Sequence, residues 1–153
     1  MQGGLHQDLL AKLGETVGIA DLVFDQEGHV ALSFDDVTLH IEYQAAANAL
    51  LVTAEIGPLP PAPDADWLGR ALELNHARLL QRDGCIGIDR GAGRIVFIDR
   101  VPLLGMTQQL FEERLSAIID GVESWRKWLK SPGRDTAAED ALAASATDQI
   151  FRP

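Results

Sequence analysis

The sequence predicts an α+β domain: a five-stranded, mainly antiparallel twisted sheet packed with three helices, in the order α-β-β-β-α-β-β-α. Three observations carry that reading. Val30, Leu32 and Phe34 alternate with Ala31 and Ser33, and after Asp35-Asp36 the residues Val37, Leu39, Ile41 and Tyr43 alternate with Thr38, His40 and Glu42. A third run, 49–56, ends at Gly57-Pro58-Leu59-Pro60-Pro61. Strict period-two patterning broken by Asp, Gly and Pro is the mark of an antiparallel meander with one buried face. Helical periodicity flanks the meander on both sides.

The first helix is expected over 5–16, where Leu5, Leu9 and Leu13 recur every four residues and Leu10 and Val17 widen the stripe. Gly14 weakens its last turn and Gly18 supplies the stop. Asp64 can cap a second helix over about 65–80, with Asp66 favourable in its first turn and Trp67, Leu68, Ala71, Leu72, Leu74 and Leu79 as its apolar positions. Residues 85–89 and 94–101 form a hairpin around Arg90-Gly91-Ala92-Gly93. The longest helix is expected from about Thr107 to Lys130, its broad apolar face formed by Leu110, Phe111, Leu115, Ile118, Ile119, Val122, Trp125 and Leu129. Trp125 and Trp128 have the size and spacing to anchor it to the body. Ser131-Pro132-Gly133 stops it, leaving a domain of 1–131 and a tail of 132–153 read as mobile, with one weak helix near 136–146.

At 153 residues and 46% apolar, the chain can build one core without disulfides or metal. No apolar run reaches the roughly 18 residues of a membrane span, and the N-terminus does not read as a signal peptide. The single cysteine, Cys85, excludes an internal disulfide and fits a reducing compartment. The net charge of −10 is uneven, since residues 1–56 hold nine acids against Lys12 alone. That acidity repels phosphate, so a nucleic-acid partner is not expected.

No catalytic constellation stands out. His6, His29, His40 and His76 fall on unlike elements, and His40-x-Glu42 places only two ligands on one strand face where a metal site needs three or four. Asp64-x-Asp66 reads as a helix cap, and Gly91-Ala92-Gly93 as a turn. No phosphate loop of the form G-x-x-x-x-G-K-S/T is present. No cofactor, metal or enzymatic activity is expected.

Local sequence adds a resemblance. Leu9-Leu10-Ala11-Lys12-Leu13-Gly14, Phe24-Asp25-Gln26-Glu27-Gly28, Ile56-Gly57-Pro58-Leu59-Pro60, Leu72-Glu73-Leu74-Asn75, Gly84-Cys85-Ile86-Gly87-Ile88-Asp89 and a final Trp125-bearing helix occur in this order. Together they resemble the class I type III secretion chaperones, the Tir-chaperone family, over about residues 1–130. The resemblance implies a bacterial cytoplasmic homodimer without enzymatic activity. Such a protein holds the N-terminal region of a secreted effector extended and aids its delivery to the secretion apparatus, whose ATPase is a further candidate partner. The resemblance also implies a dimer interface on the second helix and fourth strand, and effector contacts on the first helix and the sheet.

Carried onto these residues, the effector-binding candidates are Leu5, Leu9, Leu13, Val30, Leu32, Phe34 and His40. The dimer candidates are Leu68, Leu72, Cys85, Ile86 and Ile88. Each apolar member has a second reading as core. Two rival functions stay open: a protein-interaction or regulatory domain of the same fold unconnected with secretion, and a small α+β enzyme or ligand-binding domain, which would need a pocket with convergent polar groups.

Overall fold

The computed structural model describes residues 4–130. The expected tail and its weak helix lie outside them. Helix α1 (Leu5–Val17) leads into β1 (His29–Phe34), β2 (Val37–Gln44), a short 3-10 turn (Ala45–Ala47) and β3 (Ala49–Pro58). Helix α2 (Ala65–Leu79), β4 (Cys85–Asp89), β5 (Arg94–Pro102) and α3 (Gln108–Lys130) follow. The element order is the expected one, and the boundaries agree to within about two residues.

All pairings are antiparallel, in the spatial order β1-β2-β3-β5-β4. β1 and β4 therefore end the sheet, and α2 is the crossover that carries the chain from β3 past β5 to the far edge. The alternation fixes which face is buried. Val37, Leu39, Ile41, Leu50, Val52, Ala54, Ile95 and Phe97 point inward and are sealed. The opposite face carries Thr38, His40, Glu42, Thr53, Ile98 and Arg100.

α3 covers the inner face and touches α1, β2, β3 and β5. Thr107 caps it, its hydroxyl oxygen accepting the Leu110 N–H at 3.2 Å. Its stripe is Phe111, Leu115, Ile118, Val122, Trp125 and Trp128, all buried. The two tryptophans meet edge-to-face at 5.5 Å, and Trp67 of α2 lies 5.5 Å from Trp128. Burying aromatic rings of this size supplies much of the core energy. Leu110, expected on the apolar face, is half exposed, whereas Phe111 beside it in the same turn is buried. Arg126 secures the other end, donating to the Glu55 carbonyl at 2.9 Å and the Asp36 carbonyl at 3.1 Å.

α1 ends as expected at Gly18, whose φ of 78° is the left-handed cap. Gly14 does not loosen the helix. A side chain there would sit 2.7 Å from the Ile19 carbonyl, so glycine is what lets the following loop fold back on the last turn.

Candidate partner-binding surfaces

α2 begins at Asp64, whose carboxylate accepts the Trp67 N–H at 2.8 Å. From there it presents two apolar stripes rather than one. Ala71 and Leu74 face inward, whereas Leu68, Leu72 and Leu79 face outward together with Leu80 and Ile88 of β4. Leu72 is 67% exposed and Leu80 69%. Between helix and strand runs a groove of about 220 Å³ lined by Trp67, Leu68, Ala71, Leu72, Asn75, Ile86, Gly87, Ile88 and Ile95. Of the dimer candidates, Leu68, Leu72 and Ile88 lie on this surface and Ile86 sits at its floor, whereas Cys85, half-buried, pairs with Ile98 and so falls on the opposite face of the sheet. Burial and the nearby Asp99 raise the Cys85 thiol above its ordinary value, which favours the neutral thiol.

The helix is fastened to the strand by one side chain that sequence reasoning did not single out. The Asn75 amide donates to the Ile86 carbonyl at 2.9 Å, and its oxygen accepts the Ile86 N–H at 2.8 Å. The amide thus replaces the neighbouring strand that β4 lacks and closes that edge at Ile86. The quoted Leu72-Glu73-Leu74-Asn75 segment contained the signal: a polar residue one position past the inward Leu74.

The other candidate surface is at the β1 end. Here the expectation for Leu9, Leu13 and Leu32 is corrected. They are 3%, 4% and 3% exposed and belong to the core, because α1 turns that stripe onto the sheet and α3. Leu5 is 46% exposed, Val30 and Phe34 are half-buried against the core, and His40 is exposed. The apolar surface that α1 does offer lies beyond its C-terminus. Val17, Ile19 and Val23 are exposed around a cleft of about 540 Å³ lined by Ala11, Gly14, Glu15, Gly18, Ile19, Ala20, Asp21, Leu22 and Val23. Glu15 and Asp21 give it an acidic rim. The run Ile19-Ala20-Asp21-Leu22-Val23 after the helix stop is its sequence signal.

A buried ion cluster holds these surfaces in place. Arg114 of α3 bridges Asp99 of β5 at 2.7 Å and Asp83 at 3.4 Å, and Asp83 lies 3.5 Å from Arg78 of α2. Burial raises the Asp99 carboxyl above its ordinary range, an effect the Arg114 charge partly opposes. Burial likewise lowers Arg78. The cluster ties the end of α2, where Leu79 and Leu80 emerge, to the sheet and α3. Among the described residues no group of three or more His, Cys, Asp or Glu converges on a metal position, and no helix is long and apolar enough to cross a membrane.

Residues 8–126 match the model of the Tir chaperone protein (CesT) family. The chain belongs to that family. It is similar to the transcriptional anti-antiactivator ExsC of Pseudomonas aeruginosa, with 25% identity over 122 residues, 79% of this chain and 83% of that one. The fold is shared with the chain solved in the ExsC-ExsE complex (TM-score 0.68, 24% identity, covering 80% of this chain and 91% of that one). It is shared equally with the HopA1-SchA chaperone-effector complex (TM-score 0.66, 20% identity, 80% and 93%). The Yersinia pestis type III secretion chaperone SycH, solved with a fragment of YscM2, also matches (TM-score 0.63, 15% identity, 78% and 98%). Fold and family are thus those of the class I type III secretion chaperones, as the sequence resemblance implied.

Proposed function

We propose that this chain is a secretion chaperone that works in the bacterial cytoplasm as a homodimer and without catalysis. It binds the N-terminal region of a secreted effector, keeps it non-globular and aids its delivery to the secretion apparatus. The family match supports the chaperone role. The observation that carries the rest is the division of unsatisfied apolar surface between two ends of one sheet. The Leu68, Leu72, Leu79, Leu80 and Ile88 surface at the β4 end suits a second copy, because Asn75 has already closed the strand edge there and left side chains to do the docking. The β1 end suits an extended guest. Its edge strand is available for main-chain pairing, Val30 and Phe34 are half-buried on it, and the acid-rimmed cleft after α1 adds apolar surface. An unfolded segment loses much entropy on binding, so its partner must offer a large surface, and a dimer offers it twice.

The test is capture from the native cytoplasm by the full chain, with identification of the bound polypeptide and its protease-protected segment. An effector held by its N-terminal region, on a chaperone of dimeric mass by light scattering, is the expected result. A monomer at tens of micromolar, or a folded small-molecule enzyme as the captured species, would overturn it. The similarity to a transcriptional anti-antiactivator favours one second reading, in which the guest is a regulatory protein sequestered rather than delivered. The identity of the captured chain separates the two.

A further inference from the structure

The cleft beyond α1 is formed by the chain's own backbone. The Ile19 N–H donates to the Gly14 carbonyl at 2.8 Å and Asp21 takes a left-handed φ of 53°, so the loop after Gly18 folds back on the last turn of the helix. Ile19 and Val23 stand out from it at 45% and 60% exposure, while Leu22 lines the cleft and packs against the core. Glu15 and Asp21 sit on its rim, and neither has an ion-pair partner among the described residues. A cleft that is apolar within and acidic at its edge fits a segment in which large apolar side chains adjoin a cation. The chain itself supplies one. Beyond Lys130 the sequence continues over 131–153, where Leu142, Ile150 and Phe151 are the large apolar residues. Arg152 directly follows Ile150-Phe151, whereas Leu142 is followed by Ala143-Ala144-Ser145.

We propose that Ile150 and Phe151 dock in the cleft of their own chain, with Arg152 on the Glu15 and Asp21 rim, and hold part of the guest site until a guest displaces them. The displacement rests on the reading of this cleft as guest surface; the docking does not. Reach supports the contact. Thr16, in the last turn of α1, lies 3.3 Å from Glu112, and the helix from Glu112 to Lys130 is about 27 Å long at 1.5 Å per residue. A coil of the roughly 20 residues from 131 to 150 has an r.m.s. span of about 25 Å at its compact limit, and full extension reaches about 66 Å. A tethered segment attains its highest local concentration, of millimolar order, when its r.m.s. span matches the gap. At about 1 mM, an intrinsic dissociation constant of about 0.1 mM keeps the cleft mostly filled and raises a competitor's apparent Kd about tenfold. A contact too weak to capture a separate molecule efficiently is therefore enough within one chain. It also covers exposed apolar surface, which is otherwise a site of unwanted association, while the protein has no client.

The test is methyl NMR of the full chain, which needs no guest. In Phe151→Ser the Ile19 and Val23 methyl resonances should move, whereas Leu142→Ser should leave them in place. A synthetic peptide of residues 143–153 added to Phe151→Ser should return them toward their wild-type positions. The same peptide carrying Arg152→Glu should bind at least about threefold more weakly, the scale of a lost surface ion pair. Methyls indifferent to Phe151→Ser overturn the docking and leave the chaperone reading standing. A nitroxide on Gln149→Cys, in a Cys85→Ser background, should broaden the Ile19 and Val23 methyls of an isotope-labelled chain. That broadening should survive dilution and subunit exchange with unlabelled chain; its loss assigns the contact to a second copy and overturns docking within one chain. Finally, the segment protected in the capture experiment should bind Phe151→Ser about tenfold more tightly than the wild type. Equal affinity for the two overturns the placeholder role.

Discussion

α2 and α3 are both amphipathic, yet they meet opposite fates. α3 buries Phe111, Leu115, Ile118, Val122 and both tryptophans beneath the sheet, leaving Leu110 half exposed at its start. α2 buries Ala71 and Leu74, inserts Trp67 against Trp128 and leaves Leu68, Leu72 and Leu79 in solvent. The difference lies in position. α3 crosses the middle of the sheet, where β2, β3 and β5 all reach it, whereas α2 runs beside the terminal strand β4 and has sheet on one side only. A helix at a sheet edge with two apolar stripes needs a second surface to cover the outer one. That surface is what separates a self-sufficient core from an assembling one.

Trp125→Ala gives the largest contrast. It removes a fully buried ring from the C-terminal half of α3 and should cost about 3–5 kcal/mol, read by urea denaturation. Against a typical total of about 5–15 kcal/mol, that leaves the fold barely stable and takes any dimer with it. Asp99→Ala should follow at about 3 kcal/mol, the low end for breaking a buried ion pair because Arg114 is partly solvated. It leaves Asp83 to face both Arg78 and Arg114 and should loosen the end of α2 first, which amide exchange at residues 78–83 would show.

Asn75→Ala acts at the junction itself. It leaves the outward N–H and C=O of Ile86 without partners, at about 1–3 kcal/mol, and should sharply accelerate exchange of the Ile86 amide while β5 amides stay protected. Leu72→Glu is the sharpest probe of the outer stripe. The side chain is solvent-exposed, so monomer stability should change by less than about 0.5 kcal/mol. The dimer dissociation constant should rise at least tenfold, about 1.4 kcal/mol, by sedimentation or light scattering. Equal losses of stability and assembly in Leu72→Glu would erase the distinction between the two helices.

Much of this was readable before the fold was known. Parity alone placed Val37, Leu39 and Ile41 inside and His40 outside, because strand side chains alternate without exception in an unbulged run. Gly18 and Asp64 marked helix ends through local chemistry. The failures have one cause. Spacing by four put Leu5, Leu9 and Leu13 on a common stripe, but only the docking of α1 on α3 shows that Leu9 and Leu13 are covered and Leu5 is not. Asn75 is likewise invisible until α2 is laid along β4. Asp99 carried a legible signal. It sits at an inward parity between Phe97 and Val101, and a carboxylate there requires a buried cation.

The smallest expected effect concerns the junction of α1 with β2 and depends on pH. His6 stacks on Tyr43 with ring centroids 3.7 Å apart and planes 7° from parallel, and Phe24 packs against it at 5.6 Å. Desolvation in that stack lowers its pKa, a shift that Asp8 partly offsets. A histidine with a depressed folded pKa favours the neutral form, so the unfolded chain binds the proton more readily. The stability it contributes is complete above the unfolded value of about 6.5 and is lost as pH falls through the folded value. Wild-type urea midpoints should therefore drop between neutral pH and pH 5 by slightly more than those of His6→Gln, which has no proton to gain at that site. An identical pH profile for the two would mean that the stack tolerates the imidazolium, and that the α1 end is as permissive of charge as the exposed stripe of α2.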